Sequence, residues 1–193
     1  MKKRFFSAGF ALLLCLLLAL PCFAEGEVYD LETGTLVEAG EPGQSTSAPE
    51  TNPLPDWYPE DVTTFSDFHD PDAPRVVDNA GLFTASEIHH FSRVIESMTE
   101  QYGCDFIVYT DVTSYGFSRG LWAADYYQYH GYGIGDDYNG LILFICMEQG
   151  NRGWWTAARG GCRSLITEGN LNYIDDNLEP YMRSGQYAEG VDE

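Results

Sequence analysis

The apolar positions of this chain follow two patterns, one of helical period and one unbroken. Ile88, Phe91, Ile95, Met98 and Tyr102 recur at spacings of three and four, which places them on one face of an α-helix. Thr84-Ala85-Ser86-Glu87 stands just before them. A threonine that caps a free backbone N–H, with a glutamate three residues on that reaches back, is a capping box, and Gly103 supplies the stop. Phe106 to Val112 then reads as a strand. A second helix is expected from the cap Ser118, carrying Leu121, Trp122, Tyr126 and Tyr129 and ending near Gly131. Leu141 to Met147 holds no charge and reads as a strand buried on both faces. Gly150-Asn151-Arg152-Gly153 is a hairpin turn, with Trp154 to Ala158 as the returning strand. A last helix carries Leu171, Ile174 and Leu178, and Pro180 is expected to kink or end it. Helix, strand, helix, strand, strand, helix predicts an α/β fold: a three-layer α/β/α sandwich with a small, mainly parallel central sheet.

The flanks read differently. Lys2, Lys3 and Arg4 precede an uncharged, leucine-rich run from Phe5 to Leu20, and Pro21-Cys22-Phe23-Ala24 follows. This is the pattern of a secretory signal over residues 1–24. The run is short for a membrane span, which needs about 20 apolar residues, so an uncleaved anchor is the lesser reading. Residues 25–73 form an acidic, Pro-rich linker: seven of the nine prolines fall between Pro42 and Pro74, and no lysine or arginine interrupts the stretch. Trp57, Tyr58, Phe65 and Phe68 are placed to pin its second half to a domain surface. The folded unit is expected over 74–193, with the abrupt end suggesting truncation there.

Charge narrows the partners. The formal net charge is −20, and −23 without the three bases of the leader. After residue 4 there is no lysine. Nucleic acid and anionic membrane surfaces both require basic patches, so no nucleic acid is expected as a partner. Contact with a membrane is expected only through an uncleaved signal or a missing C-terminal anchor. Cys104, Cys146 and Cys162 remain beyond the leader, an odd count that allows one disulfide and leaves one thiol. Cys104 and Cys146 adjoin apolar runs and read as buried thiols.

The candidate chemistry is acidic. Gly135-Asp136-Asp137-Tyr138-Asn139-Gly140 runs straight into the buried strand. Asp78 precedes the first helix and Glu168 opens the last. Hard cations take six to eight oxygen ligands from carboxylates, amides and carbonyls, so Asp78, Asp136, Asp137, Asn139 and Glu168 form a candidate metal set for Ca²⁺ or Mg²⁺. The plainer reading makes Asp78 and Glu168 helix-start acids that favour the positive dipole end, with Asp136 and Asp137 solvated. Cys146 to Arg152 fits Cys-x₅-Arg, the spacing of a thiol phosphatase. A strand rather than a helix is expected after it, and Glu148 would put an anion inside the phosphate cradle, so the match is read as chance. No serine, histidine and aspartate form an evident triad, and no catalytic residue is assigned.

Three motifs in one order carry a family likeness. Val76-Val77-Asp78-Asn79-Ala80-Gly81-Leu82-Phe83-Thr84, Asp136-Asp137-Tyr138-Asn139-Gly140 with its strand, and Leu178-Glu179-Pro180-Tyr181-Met182-Arg183-Ser184-Gly185-Gln186-Tyr187 resemble the opening, second and closing motifs of the TPM domain. That domain is named for thylakoid lumen, photosystem repair and acetylcholine-receptor modulator proteins. The resemblance covers 75–190 and implies a small α/β/α domain whose acidic motifs converge at one edge, in a bacterial member that is secreted or membrane-tethered. Members have been associated with divalent cations, acid phosphatase-like activity and upkeep of membrane complexes. The chain departs from the pattern at Ala158-Arg159-Gly160-Gly161-Cys162-Arg163 and Thr167-Glu168, where a threonine, a further glycine and an aspartate are expected. The function expected is an extracytoplasmic, cation-organised binding or accessory module of the cell envelope, with an envelope or membrane protein as partner. The alternative is a metal-dependent, acid phosphatase-like hydrolase in which Asp78, Asp137 and Glu168 hold the cation. No arginine is clearly placed to grip phosphate, Arg159 and Arg163 being the only near candidates, and this favours binding over hydrolysis.

Overall fold

The structure, a computed structural model, describes residues 24–30, 35–36, 53–59 and 69–192. Residues 1–23 of the expected signal, most of the expected linker, and Phe65 and Phe68 lie outside the described residues.

Thr84 caps the first helix as its sequence requires: the side chain accepts from the Glu87 N–H, and Glu87 accepts in return from the Thr84 N–H. The helix, α1, spans Ala85–Tyr102, and Gly103 closes it in the left-handed conformation with φ 60°. Phe91 and Ile95 are buried, while Tyr102 at the last turn is 61% exposed, so the apolar stripe ends one turn before the helix does. Ser118 caps α2 (Arg119–Tyr129), and Thr167 caps α3 (Glu168–Ser184). Pro180 does not end α3. Leu178 and Met182 on either side of it are buried, and tertiary packing of this kind outweighs local helix propensity. Gly185 then stops the helix at φ 76°, and a short α4 (Tyr187–Asp192) follows.

Three of the strands begin one residue earlier than the apolar runs suggest. The strands of the domain are β3 (Val76–Asp78), β4 (Asp105–Asp111), β5 (Gly140–Cys146) and β6 (Gly153–Arg159). Two further strands, β1 (Ala24–Asp30) and β2 (Thr35–Leu36), come from the segment before the domain. The sheet order is β2-β1-β6-β5-β4-β3. Pairs β3–β4, β4–β5 and β1–β6 are parallel; β5–β6 and β1–β2 are antiparallel. β3 escapes a sequence reading because three residues show no periodicity. β1 escapes it because its Glu-Gly-Glu composition disfavours strand.

Side chains on successive strand positions point to opposite faces, and here each face has its own core. Ile107, Tyr109, Ile142, Phe144, Trp155 and Ala157 pack under α2, against Trp122, Tyr126 and Tyr127. Val76, Val108, Ile145 and Trp154 pack on the other face against Phe91 and Ile95 of α1 and Leu178 and Met182 of α3. The result is the expected α/β/α sandwich, with α2 on one side and α1, α3 and α4 on the other. Cys104 is not a free thiol: it forms a disulfide with Cys162 across a sequence separation of 58, with Cα atoms 6.2 Å apart. That bond ties the start of β4 to a 3₁₀ helix at Gly160–Leu165. Cys146 remains free and buried.

Candidate functional site

Strand direction divides the predicted metal set between two ends of the sheet. In the parallel register Asp78 pairs with Thr110, and Thr110 with Ile145. Asp136, Asp137 and Asn139 precede Gly140, at the opposite end of β5. Five strand residues, roughly 16 Å at about 3.3 Å each, separate the two levels. The expected convergence at one edge therefore fails for Asp78. β6 runs antiparallel and pairs Arg159 with Gly140. The 3₁₀ helix that follows, which leads into α3 at Glu168, therefore shares the Asp136–Asn139 edge. The Glu168 side chain lies outside the described residues.

At that edge, Ile134 and Asn139 exchange backbone hydrogen bonds of 3.0 and 2.9 Å and close a turn over Gly135–Tyr138. Asp136 and Asp137 stand exposed on it. The turn is held hard from below. Tyr138 adopts φ +51°, a conformation rare for a bulky residue. Its carbonyl accepts a 3.0 Å hydrogen bond from the buried Tyr127 hydroxyl, and the Arg159 guanidinium lies 4.4 Å over its ring. Gly133 touches the Tyr138 backbone so closely that a Cβ there would come within 2.6 Å of it. Asp105, 1% exposed, accepts from the Gly133 N–H at 2.9 Å and takes both arms of the Arg75 guanidinium at 2.9 and 3.0 Å. Asn139 spends its carboxamide inside the fold. Its oxygen accepts from the Gly161 N–H, and its nitrogen donates to the Ile134 carbonyl at 3.2 Å. Of the four oxygen-bearing residues expected here, only Asp136 and Asp137 are described with exposed carboxylates.

The other edge gathers acids that the sequence did not single out together. Asp78 accepts from the Leu82 and Phe83 N–H groups at 2.9 and 2.8 Å and from the Thr110 hydroxyl at 2.5 Å. It thus fastens the turn that leads into α1. Asp111, at the end of β4 and 5% exposed, accepts from the Tyr109 hydroxyl at 2.5 Å, the Val112 N–H at 2.7 Å and the Asn79 amide at 3.2 Å. Glu148, just past β5, accepts from the Ser114 hydroxyl at 2.7 Å and its N–H at 3.2 Å, and from Thr113 and Asn151. Burial pushes the Glu148 carboxyl up, but these hydrogen bonds outweigh it and hold it below the ordinary value. The signal for this edge was present in the sequence, since one acid stands at or just past the end of each of β3, β4 and β5. Among the described residues no three His, Cys, Asp or Glu side chains come together in a group that could hold a metal ion. Asp78 and the Asp136–Asn139 turn, at opposite ends of the sheet, therefore do not share one cation site.

The thiol-phosphatase spacing carries no chemistry either. Burial pushes the Cys146 thiol up to about 12, far from the low value a thiolate nucleophile needs. Arg152 donates to the Tyr187 hydroxyl, and β6 begins at the next residue in place of a helix.

The kinship of this fold is decided by the family comparison: a family model described as the TPM domain matches residues 76–193. The chain belongs to the TPM domain family. The matched stretch takes in both acidic edges and all three motifs of the resemblance, and leaves residues 53–59 outside it. The solution NMR structure of the N-terminal domain of a protein from P. gingivalis is similar to this TPM domain. The TM-score is 0.54 at 24% sequence identity, covering 63% of this chain and 77% of that one, a likeness of fold. The comparison with curated proteins gives no match. Among the described residues no helix of the TPM domain is long and apolar enough to cross a membrane.

Proposed function

We propose that this chain is an extracytoplasmic TPM domain of a bacterial cell envelope that acts as a binding or accessory module. The observation that carries this reading is the separation of the carboxylates. A metal-assisted phosphatase would need Asp78, Asp137 and Glu168 around one cation. Asp78 stands at the opposite end of the sheet from Asp137, with backbone and threonine donors on both of its oxygens. The exposed acids stand instead on a turn braced by Asp105, Tyr127 and Gly161. Such an arrangement suits docking better than turnover. In this reading Ca²⁺ or Mg²⁺ engages Asp136 and Asp137, with Glu168 expected to join them from the segment that follows the 3₁₀ helix, without Asp78. The compartment is supported by the leader pattern and by the Cys104–Cys162 disulfide, a bond that persists in oxidising surroundings. The partner is an envelope or membrane protein.

Calorimetric titration of the protein with Ca²⁺ and with Mg²⁺ tests this. Binding heat is expected in the wild type and in Asp78→Asn, and is expected to be lost in Asp136→Ala/Asp137→Ala. Metal-dependent release of phosphate from a generic phosphomonoester, abolished by Asp137→Ala, would replace the module with an enzyme.

A further inference from the structure

Residues 53–59 lie outside the stretch matched by the family model, yet they seat two rings on its core. Tyr58 is closed into a tight turn by a 2.9 Å hydrogen bond from its N–H to the Pro55 carbonyl. Its ring stacks on Trp122 at 5.6 Å and on Phe117 at 5.4 Å, and its hydroxyl donates to Asp125 at 2.7 Å. Trp57 lies 5.1 Å from Trp122, edge-on to Tyr126 at 5.4 Å, and 4.7 Å from the His130 ring. Both anchors thus land on one aromatic face, built by α2 and the loop before it, and a single half-buried carboxylate, that of Asp125, fixes the orientation of the second ring. Trp and Tyr on such a face are the residues that dominate protein–protein interfaces. The flanking Pro53, Pro55 and Pro59 reduce the conformational freedom a docking segment must lose.

We propose that this face of α2 is a docking site for a proline-flanked Trp-Tyr segment of a partner protein, and that residues 53–59 are its resident ligand within the same chain. The site names the chemistry of the partner in the binding-module reading, and rests on that reading. A ligand carried in the same chain acts at an effective concentration on the order of mM. A free peptide therefore competes poorly until the resident contacts are weakened, and a natural partner must bring more contact than these seven residues do.

The probe is a synthetic, fluorophore-labelled peptide of residues 53–59, read by polarisation with the full chain. Wild type is expected to bind it weakly. Trp57→Ala/Tyr58→Ala is expected to bind it at least tenfold more tightly, with Asp125→Ala added to the double variant removing most of that gain. Equal binding by wild type and double variant, or none by either, overturns the site. A concentration-dependent dimer of the wild type that is lost in Trp57→Ala/Tyr58→Ala also overturns it, because the segment would then serve a second copy. Should the double variant lose its far-UV dichroism, Tyr58→Phe, which removes only the hydroxyl bond to Asp125, is expected to raise peptide affinity severalfold. No rise there sinks the proposal. None of these readouts involves a cation, so failure of this site and failure of the acidic turn in calorimetry remain distinguishable.

Discussion

The two ends of the central sheet carry the same kind of residue and use it in opposite ways. At the end where β3, β4 and β5 finish, Asp78, Asp111 and Glu148 are internal fasteners. Each accepts several hydrogen bonds from groups of this chain, and each closes a loop onto the sheet. At the end where β5 begins, Asp136 and Asp137 face water, and the fastening is done beneath them by Asp105, Asn139, Tyr127 and Gly161. A carboxylate with three protein donors is structural whatever motif it belongs to. One left outside a rigid turn is free to meet something else.

The difference can be broken in order of expected effect. The second end is clamped by the Cys104–Cys162 bond. Replacing both cysteines with serine is expected to cost about 4 kcal/mol in a denaturant titration, from the loop-closure entropy of a 58-residue separation. Gly140 comes next, because a Cβ there would fall 2.0 Å from the Tyr127 hydroxyl and 2.8 Å from the Asp105 carbonyl. Gly140→Ala is expected to lose about 3 kcal/mol, at the upper end of the cost of overpacking. Asp78→Ala at the first end strands two backbone N–H groups and is expected to cost about 2 kcal/mol.

Acid separates the two ends further. Glu148 has its folded value depressed, so its stabilisation is complete above the ordinary value of 4.5 and is lost as pH falls through the lower folded one. Glu148→Gln is expected to flatten that acid limb of the stability curve, and an unchanged limb would show that Glu148 is not a fastener. Asp136→Ala and Asp137→Ala should each stay within about 0.5 kcal/mol of wild type. A loss as large as that of Asp78→Ala would erase the distinction between the two ends.

Most of the fold was legible in the sequence because its signals are local. A capping box at Thr84, a glycine stop at Gly103 and an uncharged run into Cys146 each declare themselves within a few residues. The TPM motifs then gave their order a shape. Pro180 misled, since the burial of Leu178 and Met182 is a tertiary fact that no local rule contains. The site was less legible for a related reason. Motif order says that Asp78 and Asp136 belong to one domain, but only strand direction says that they stand at opposite ends of it. Asn139 reads as a ligand by type. Its use as a brace depends on Gly161, twenty-two residues away. The Cys104–Cys162 pairing likewise depends on the start of β4 and the end of β6 meeting at the Gly140 end of β5, a tertiary placement that an odd count of three cysteines leaves open.

The Arg75–Asp105 pair has a practical consequence. Arg75 is the first basic residue after Arg4, so a protease that cuts after arginine or lysine finds no site in the intervening stretch. The bond it would cut beyond Arg75 leads directly into β3, and the guanidinium it must recognise is engaged by a buried carboxylate at 2.9 Å. A single cut there would sever the peptide link to the segment that carries Trp57 and Tyr58 while leaving the family-matched region whole. The rate of that cut becomes a clock for how often this corner of the molecule opens.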